Sequence, residues 1–212
     1  MTLGRRETVQ SILENVERLV PTERLQINIW DRFEQQVTPC QFGSGAGSIR
    51  RVEQVKPRPP EGFTRLLLTR RQPLLIPDIS DLDPELLAAA PPDLRAFVGV
   101  PLLAGGELVG TLEVGLKSPG ALSTRDLDIL QLLSGQAAVA LRNAMLLEEQ
   151  RQQTTELSGL AKLAQAIGST RDSHELFSRL TQSIAPLVNV EILGFLLYDE
   201  ERHLLVAQNP FI

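Results

Sequence analysis

Residues able to do chemistry are few and far apart in this chain. Its 212 residues include a single cysteine, Cys40, and two histidines, His174 and His203, both near the C-terminal end. One cysteine can form neither an intramolecular disulfide nor a cysteine-based zinc cluster. Residues 1–149 contain no histidine, so no Ser-His-Asp or Cys-His set can be assembled there. We therefore predict no catalytic residues, no metal site and no cofactor, in a protein that is not an enzyme.

A glycine-rich segment has the composition, but not the pattern, of a phosphate-binding loop. Residues 43–48 read GSGAGS and are soon followed by two arginines. A P-loop ends in Gly-Lys-Ser/Thr, and a dinucleotide-binding turn leads directly into a helix; neither holds here. Residues 43–62 are predicted to form a long polar loop. The neighbouring carboxylates Asp81 and Asp83 lie in a proline-flanked stretch, where capping and solvation account for them.

The composition excludes several kinds of partner. A net charge of −5 and a pI near 5.2 argue against nucleic-acid binding, which usually requires a basic face. No apolar run approaches the roughly 18–20 residues that span a bilayer. The N-terminal MTLGRRETVQ lacks the apolar segment of a signal peptide. We expect a cytoplasmic protein with no nucleic-acid partner and no membrane insertion.

The elements that would position a site are clearest between Arg95 and Glu149. Two apolar strand-like runs flank Gly105-Gly106, a pair that favours a tight hairpin because glycine readily adopts positive φ. Ser123 or Thr124 then begins a helix, and Asp126 is spaced to return a capping hydrogen bond. Apolar residues follow at helical intervals, at Leu127, Leu130, Leu133, Ala137, Leu141 and Ala144.

This helix has no evident stop signal after Glu149. The polar segment EEQRQQTTE favours helix, and apolar residues resume at Leu157 and Leu160. A continuous helix of roughly 45 residues would need support from tertiary or dimer contacts. A break near residues 150–159 is the alternative, because the two apolar seams are out of phase.

The preceding chain has weaker but readable patterns. It predicts a helix over 7–20, a half-buried strand over 25–31, an edge strand over 37–42, a short helix over 62–71, a brief strand over 74–76 and a short helix over 81–92.

The C-terminal end repeats the N-terminal end at an offset of 168 residues. Val9, Ile12, Val16 and Val20 align with Phe177, Leu180, Ile184 and Val188, and the strand LQINIWD at 25–31 aligns with LGFLLYD at 193–199. A helix, a strand and a polar turn therefore recur in register, which predicts duplication of one domain type. The second copy would be cut short, or would fold differently by pairing with another chain.

The block VGVPLLAGGELVGTLEVG, followed by STRDLDILQLLSGQAAVALRNAMLLEE, resembles the C-terminal half of a GAF domain. LLIPD at 74–78 resembles the strand and Asp that precede the variable pocket helix of that family. The resemblance implies an α+β, PAS-like fold with a central antiparallel sheet of five or six strands. Helices would cover one face, a pocket the other, and a long exit helix would follow. It implies a GAF domain at 1–149, a connecting signalling helix at 150–170 and the start of a second GAF-like domain at 171–212.

Several ligands of GAF domains are not expected here. Bilin-binding members use a Cys near the pocket helix, and residues 78–95 have none. Haem-binding members need an axial His, which the first domain lacks. The Asn-Lys…Phe…Asp-Glu signature of cyclic-nucleotide binding is not found. Reduction of free methionine sulfoxide requires several cysteines, so Cys40 is interpreted as structural.

Two hypotheses remain for the function. In the first, a regulatory sensor of a bacterial two-component or similar system binds a small molecule and signals through its C-terminal helix to an output domain in cis, such as a histidine kinase or nucleotide cyclase. In the second, the domain binds nothing and serves as a dimerising relay. The predicted pocket residues, each of which could equally be plain core, are Trp30, Phe63, Leu66, Ile76, Asp78, Leu94, Phe97 and Val100. The predicted homodimer and signalling seam, a coiled coil of terminal helices, comprises Leu127, Leu130, Ala137, Leu141 and Ala144.

Overall fold

A computed structural model of the chain describes residues 4–42, 51–88, 90–169, 173–186, 188 and 192–208. The chain divides into two compact units, Met1–Glu148 and Glu149–Ile212. None of the helices within the described ranges has both the length and the apolar character needed to cross a membrane.

The first unit is built on one antiparallel sheet of six strands. Neighbouring strands lie in the order β3-β2-β1-β6-β5-β4, and every pairing is antiparallel. This confirms the predicted sheet of five or six strands. The strands are β1 Arg24–Asp31, β2 Gln36–Phe42, β3 Val52–Gln54, β4 Leu74–Ile76, β5 Ala96–Ala104 and β6 Glu107–Leu116.

Helices from both ends of this unit pack on one face of the sheet. They are α1, Arg5–Leu19, and the first part of α4, Thr124–Ser169. Successive strand residues point to opposite faces, so alternate positions of β1, β5 and β6 contribute to the core beneath these helices. Burying each large aliphatic side chain there stabilises the fold by roughly 1.5–3 kcal/mol. The core includes Leu25, Ile27 and Ile29 of β1, Val98 and Val100 of β5, Leu112 and Val114 of β6, Leu13 and Val16 of α1, and Leu130 and Leu141 of α4.

Shorter elements cover the opposite face. They are α2, Gly62–Arg70, a 3₁₀ turn at Ile79–Asp81 and α3, Pro84–Ala88. A second apolar cluster lies beneath them, with the rings of Phe63 and Phe97 only 4.7 Å apart between centroids. The sheet therefore separates two apolar cores.

Glycines at the β5–β6 turn and within β6 set the geometry of these two strands. Gly105 and Gly106 have φ of 60° and 84°, which confirms the predicted hairpin turn. Gly110 lies on β6 close to the backbone of β1, and a Cβ there would collide with the backbone carbonyl oxygen of Asn28. A side chain at residue 110 is therefore incompatible with the observed strand pairing.

Helix α4 begins as predicted and does not break. The backbone N–H and the hydroxyl of Ser123 both donate to Asp126 Oδ2, at 2.8 and 2.6 Å. The backbone is helical from Thr124 to Ser169, so the alternative of a break near 150–159 does not hold.

The seam predicted for dimer contact instead belongs largely to the domain's own core. Leu130, Ala137, Leu141 and Ala144 are buried, and Leu127 packs against the same core. Buried side chains have no surface to offer a partner, so the outward stripe of α4 must be sought elsewhere. The exposed large apolar residues on the first half of the helix are Leu132, Val139 and Leu146.

The second unit reproduces the first three elements of the first unit. It contains α5, Ser173–Ile184, and an antiparallel pair formed by β7, Phe195–Asp199, and β8, Leu204–Gln208. An offset of 168 residues maps the start of α1 on that of α5, and the start of β2 on that of β8. The strand register also coincides, since Trp30 pairs with Val37 and Tyr198 pairs with Leu205.

The turns between these paired strands match as well. Asp31 Oδ1 accepts hydrogen bonds from the backbone N–H groups two and three residues later, and Asp199 Oδ1 does the same. Gln35 and His203, again 168 residues apart, both have φ of 53°. The same hairpin is therefore built twice from different side chains.

Candidate ligand site

A cavity of about 270 Å³ lies on the face of the sheet opposite α1 and α4. Its apolar wall includes the large side chains of Phe63, Leu94 and Phe97, with Ala90, Pro91 and Val114. Its polar lining is larger and comes from the ends of β1 and α2, from β6 and from the segment before α2. These polar residues are Arg24, Gln26, Arg58, Glu61, Thr64 and Glu113.

Glu113 is the most unusual residue of this lining. It lies in the middle of β6 and is only 4% exposed. Its Oε1 accepts hydrogen bonds from Asn28 Nδ2 at 2.8 Å and from Thr111 Oγ1 at 2.6 Å. Its Oε2 accepts hydrogen bonds from Gln26 Nε2 at 2.8 Å and Thr64 Oγ1 at 3.0 Å. The carboxylate thus has its four acceptor positions filled by neutral donors.

Strand register explains how this network forms. Gln26 pairs with Glu113, and Asn28 pairs with Thr111, across the β1–β6 ladder. Residues opposite one another in an antiparallel pair lie on the same face, with Cβ atoms about 4.5–5.5 Å apart. The four side chains therefore form one polar patch in an otherwise apolar sheet.

Burial raises the pKa of the Glu113 carboxyl above its ordinary value. The hydrogen bonds from Thr111, Gln26, Thr64 and Asn28 act in the opposite direction and reduce this effect without cancelling it. The pKa rises because burial removes water from around the charged form of the carboxyl. Among the described residues, no cationic side chain forms an ion pair with Glu113 that would offset this loss.

We expect the pH dependence of stability to carry the signature of this carboxyl. Because its pKa is raised in the folded state, its stabilising effect is complete below the unfolded pKa, near 4.5, and is lost as pH rises through the folded pKa. The unfolding free energy of the wild type should therefore fall relative to that of Glu113→Gln, by ~1.4 kcal/mol per unit that the pKa is raised. Urea unfolding of both proteins between pH 4 and 8 measures this difference.

Glu61→Gln serves as the control, because Glu61 lines the same cavity but is exposed. Its stability profile should follow that of the wild type. Parallel profiles for Glu113→Gln and wild type would contradict a raised pKa at residue 113.

Three of the eight predicted pocket residues line this cavity: Phe63, Leu94 and Phe97. Leu66 and Ile76 pack in the adjoining apolar cluster. Val100 lies on the other side of the sheet, in the core with α1 and α4, because it differs in strand parity from Phe97.

The remaining two predicted residues have other surroundings. Trp30, half-buried on β1, pairs with Val37 and is not among the lining residues. Asp78 Oδ1 accepts hydrogen bonds from the backbone N–H and hydroxyl of Ser80, at 2.9 and 2.7 Å. Hydrogen bonding from Ser80 lowers the pKa of Asp78, which acts as the N-cap of the 3₁₀ turn.

Sequence reasoning missed the polar part of the cavity, namely Arg24, Gln26, Arg58, Glu61, Thr64 and Glu113. A usable signal was present in TLEVG at 111–115, where a glutamate interrupts an apolar strand. A charged residue in a central strand is rarely buried without a specific arrangement around it.

The described residues offer no evident metal centre. Within those ranges, no group of three or more His, Cys, Asp or Glu side chains converges on one point. Cys40 is buried, and burial raises the pKa of its thiol, so the reactive thiolate is disfavoured there.

A six-stranded antiparallel sheet with terminal helices on one face and a small cavity on the other defines an α+β domain of the GAF type. The GAF domain family profile matches residues 2–142. The chain therefore belongs to the GAF domain family.

A curated relative is similar over much of this chain but is a longer protein. The Nif-specific regulatory protein of Herbaspirillum seropedicae is 26% identical over 194 residues, which cover 84% of this chain and 35% of that protein. The chain thus spans about a third of the length of this relative.

Solved structures share the fold at low sequence identity. The GAF domain of an Acinetobacter phosphoenolpyruvate-protein phosphotransferase is 16% identical, with a TM-score of 0.55 over 70% of this chain and 88% of that one. A type II free methionine-R-sulfoxide reductase from Thermoplasma acidophilum is 15% identical, with a TM-score of 0.52 over 66% of this chain and 93% of that one. The same fold therefore occurs in the GAF domain of a phosphotransferase and in a methionine sulfoxide reductase.

Proposed function

We propose that this chain is a regulatory sensor module, in which a small molecule bound in the cavity changes the packing of α4. The observation that carries the proposal is that β6 lies between the cavity and the core beneath α4. Glu113 and Val114 line the cavity, and Leu112 and Val114 are fully buried in the core with α4. A displacement of this strand at the cavity therefore acts directly on the side chains that hold the helix.

Helix α4 is the proposed route to the output. Its first half is held by the core through Leu130 and Leu141, and it continues without interruption to Ser169. A small change in the packing of a rigid helix can bias a distant element between two states. We propose a downstream output domain in cis, such as a histidine kinase or nucleotide cyclase; the name of the Herbaspirillum relative supports a regulatory role.

We also propose that the chain is not an enzyme, although one structural neighbour is a reductase. A thiol–disulfide cycle needs an attacking thiolate and a resolving thiol. This chain has one cysteine, and Cys40 is buried with a raised pKa. Among the described residues that line the cavity there is no histidine or cysteine.

Association with a second copy is proposed through the outward stripe of α4, defined by Leu132, Val139 and Leu146. These residues recur every seven positions and are 76%, 51% and 44% exposed. A groove of about 230 Å³ also lies between α1 and α4, and its α4 side is lined by Leu133, Gln136, Ala137 and Ala140. Seven-residue spacing places apolar side chains on one face, as in helical dimers.

Residues 171–212 are proposed to begin a second domain of the same type. The shared strand register, the matching aspartate turns and the matching positive φ at Gln35 and His203 support duplication. The ring contact between Phe177 and Phe195, 5.4 Å between centroids, joins α5 to β7 at the positions of Val9 and Ile27 in the first copy.

A ligand-free dimerising relay is the second candidate, and the size of the cavity favours it. Its volume of about 270 Å³ is below the ~300–1,000 Å³ of typical ligand pockets. The two candidates differ in whether any compound binds, and they share the dimer.

Sedimentation and native mass spectrometry of the full chain test the proposal. We expect a dimer at micromolar concentration, and Val139→Glu should shift it to monomer because a buried, unpaired carboxylate is costly at an interface. Leu87→Glu, which places the same charge on a 41% exposed apolar position of α3, should remain dimeric. A thermal-shift screen of a metabolite library then separates sensor from ligand-free relay.

A chain that stays monomeric at all concentrations, and whose melting temperature no compound changes, would contradict the proposed sensor. A dimer unaffected by any library compound would favour the ligand-free relay.

A further inference from the structure

The floor of the cavity holds a buried carboxylate that has hydrogen bonds but no counter-charge. All four donors to Glu113 are amides or hydroxyls. Among the described residues, no Lys or Arg nitrogen forms an ion pair with it. Taking a carboxylate out of water is expensive unless a cation also approaches it. The site is therefore short of one positive charge near residue 113.

One oxygen of this carboxylate is turned towards the open space. The donors to Oε2, Gln26 and Thr64, both line the cavity, whereas the donors to Oε1, Asn28 and Thr111, do not. A cationic group entering the cavity would meet Oε2 first. The Thr64 hydroxyl can rotate to accommodate such a group, since a hydroxyl both donates and accepts.

The opposite charge is available at the rim. Arg24 and Arg58 line the cavity, and no carboxylate oxygen of the described residues lies within ion-pair distance of either guanidinium. Arg24 pairs with Gly115, two residues from Glu113 on β6, so it stands on the diagonal, about 7–8 Å away between Cα atoms. Glu61 also lines the rim. Its single negative charge does not balance the two arginines, so the rim keeps a net positive charge.

These charges match a ligand with two ends. A cation alone would leave the two arginines without an anion, and an anion alone would bring like charge towards Glu113. A molecule that carries a cationic group and an anionic group a few bonds apart could pair with Glu113 at the floor and with the arginines at the rim at the same time. Its apolar part would lie against Phe63, Leu94 and Phe97. The volume of about 270 Å³, just below the ~300–1,000 Å³ of typical ligand pockets, suits a small ligand.

We infer that the cavity binds a free α-amino acid with an apolar side chain, its ammonium at Glu113 and its carboxylate at Arg24 and Arg58. This inference rests on the proposed sensor function and specifies its ligand class.

Matched probes test each end separately. We expect L-leucine, L-methionine or L-phenylalanine to raise the melting temperature of the full chain and to bind measurably by calorimetry. For L-leucine the truncated partners are 4-methylpentanoate, which lacks the ammonium, and 3-methylbutan-1-amine, which lacks the carboxylate. Each should bind at least tenfold more weakly than the intact amino acid.

Substitutions test which residues bind the ammonium and which bind the carboxylate of the amino acid. Arg24→Gln should weaken amino-acid binding about tenfold and leave the weak binding of the amine unchanged. Glu113→Gln should weaken the amino acid and leave the carboxylate-only probe unchanged. Arg70→Gln, an exposed arginine in the last turn of α2 outside the cavity lining, is the matched control and should bind as wild type. If Glu113→Gln does not fold, Arg24→Gln and the truncated probes still decide the question.

Equal affinity for 4-methylpentanoate would make this an anion site, and equal affinity for the amine would make it a cation site; either result overturns the inference. Absence of binding by all amino acids also overturns it. If a library compound of another class then binds, the proposed sensor function stands without this ligand class. If no compound binds, both are contradicted.

Discussion

Replacing Gly110 with alanine is expected to cost about 3 kcal/mol of stability, at the upper end of overpacking effects. The added Cβ would collide with the carbonyl oxygen of Asn28, which is backbone of the central strand β1. A side chain could rotate away from such a contact, but a backbone carbonyl in the sheet cannot move without disturbing the β1–β6 ladder. Urea unfolding followed by far-UV circular dichroism measures the loss.

Gly135→Ala is the matched control for this prediction. Gly135 lies on the exposed surface of α4, and a Cβ there would meet no atom within 4 Å. Alanine is favoured over glycine in a helix by about 0.8–1 kcal/mol, so this variant should be more stable than the wild type. Wild-type stability of Gly110→Ala would show that β6 and β1 do not approach as closely as described.

Truncation of Leu141 to alanine is expected to cost about 2–5 kcal/mol, since it opens a cavity in the core. Leu141 is 0% exposed and packs beneath the sheet with Leu130. The same truncation at Leu132, which is 76% exposed on the same helix, should change stability by less than ~0.5 kcal/mol. Chemical denaturation of both variants, at a concentration where the chain is monomeric, measures this contrast.

The effects of these two substitutions on dimer affinity should rank in the opposite order to their effects on stability. Leu132→Ala removes an apolar side chain from the outward stripe and should weaken dimerisation, whereas Leu141→Ala should leave the dimer affinity of the folded protein nearly unchanged. A large loss of stability for Leu132→Ala, with none for Leu141→Ala, would mean that the inward and outward faces of α4 have been assigned the wrong way round.

The parts of the fold that were predictable depend on local signals. The β5–β6 hairpin follows from Gly105-Gly106, and the start of α4 follows from Ser123 with Asp126, because both are decided within a few residues. The orientation of α4 was not predictable in this way. Its sequence carries two apolar stripes, and periodicity alone does not tell which one faces the core. The stripe containing Leu130 and Leu141 is inside, and the stripe containing Leu132 and Val139 is outside.

The candidate site shows the same division between local and long-range information. Phe63, Leu94 and Phe97 were found as apolar residues, and they line the cavity. Val100 was misplaced because β5 is buried on both faces, so its sequence does not alternate between apolar and polar residues. The role of Glu113 could not be predicted locally, because it depends on hydrogen bonds from Gln26 and Thr64, which lie 87 and 49 residues away in sequence.

The continuity of α4 has a consequence for the energetics of helix formation. Every described side chain from residue 149 to 158 is exposed, and an isolated helix of that length is marginal in water because nucleation is costly. Here the segment of α4 from Thr124 to Glu148, which packs on the core, supplies the helix nucleus. Residues 149–158 then need only propagation of the helix from that segment. Loosening of the packing around Leu130 or Leu141 would remove that nucleus and lower helicity beyond Glu148. Amide hydrogen exchange of residues 149–158 would therefore report on the packing around Leu130 and Leu141.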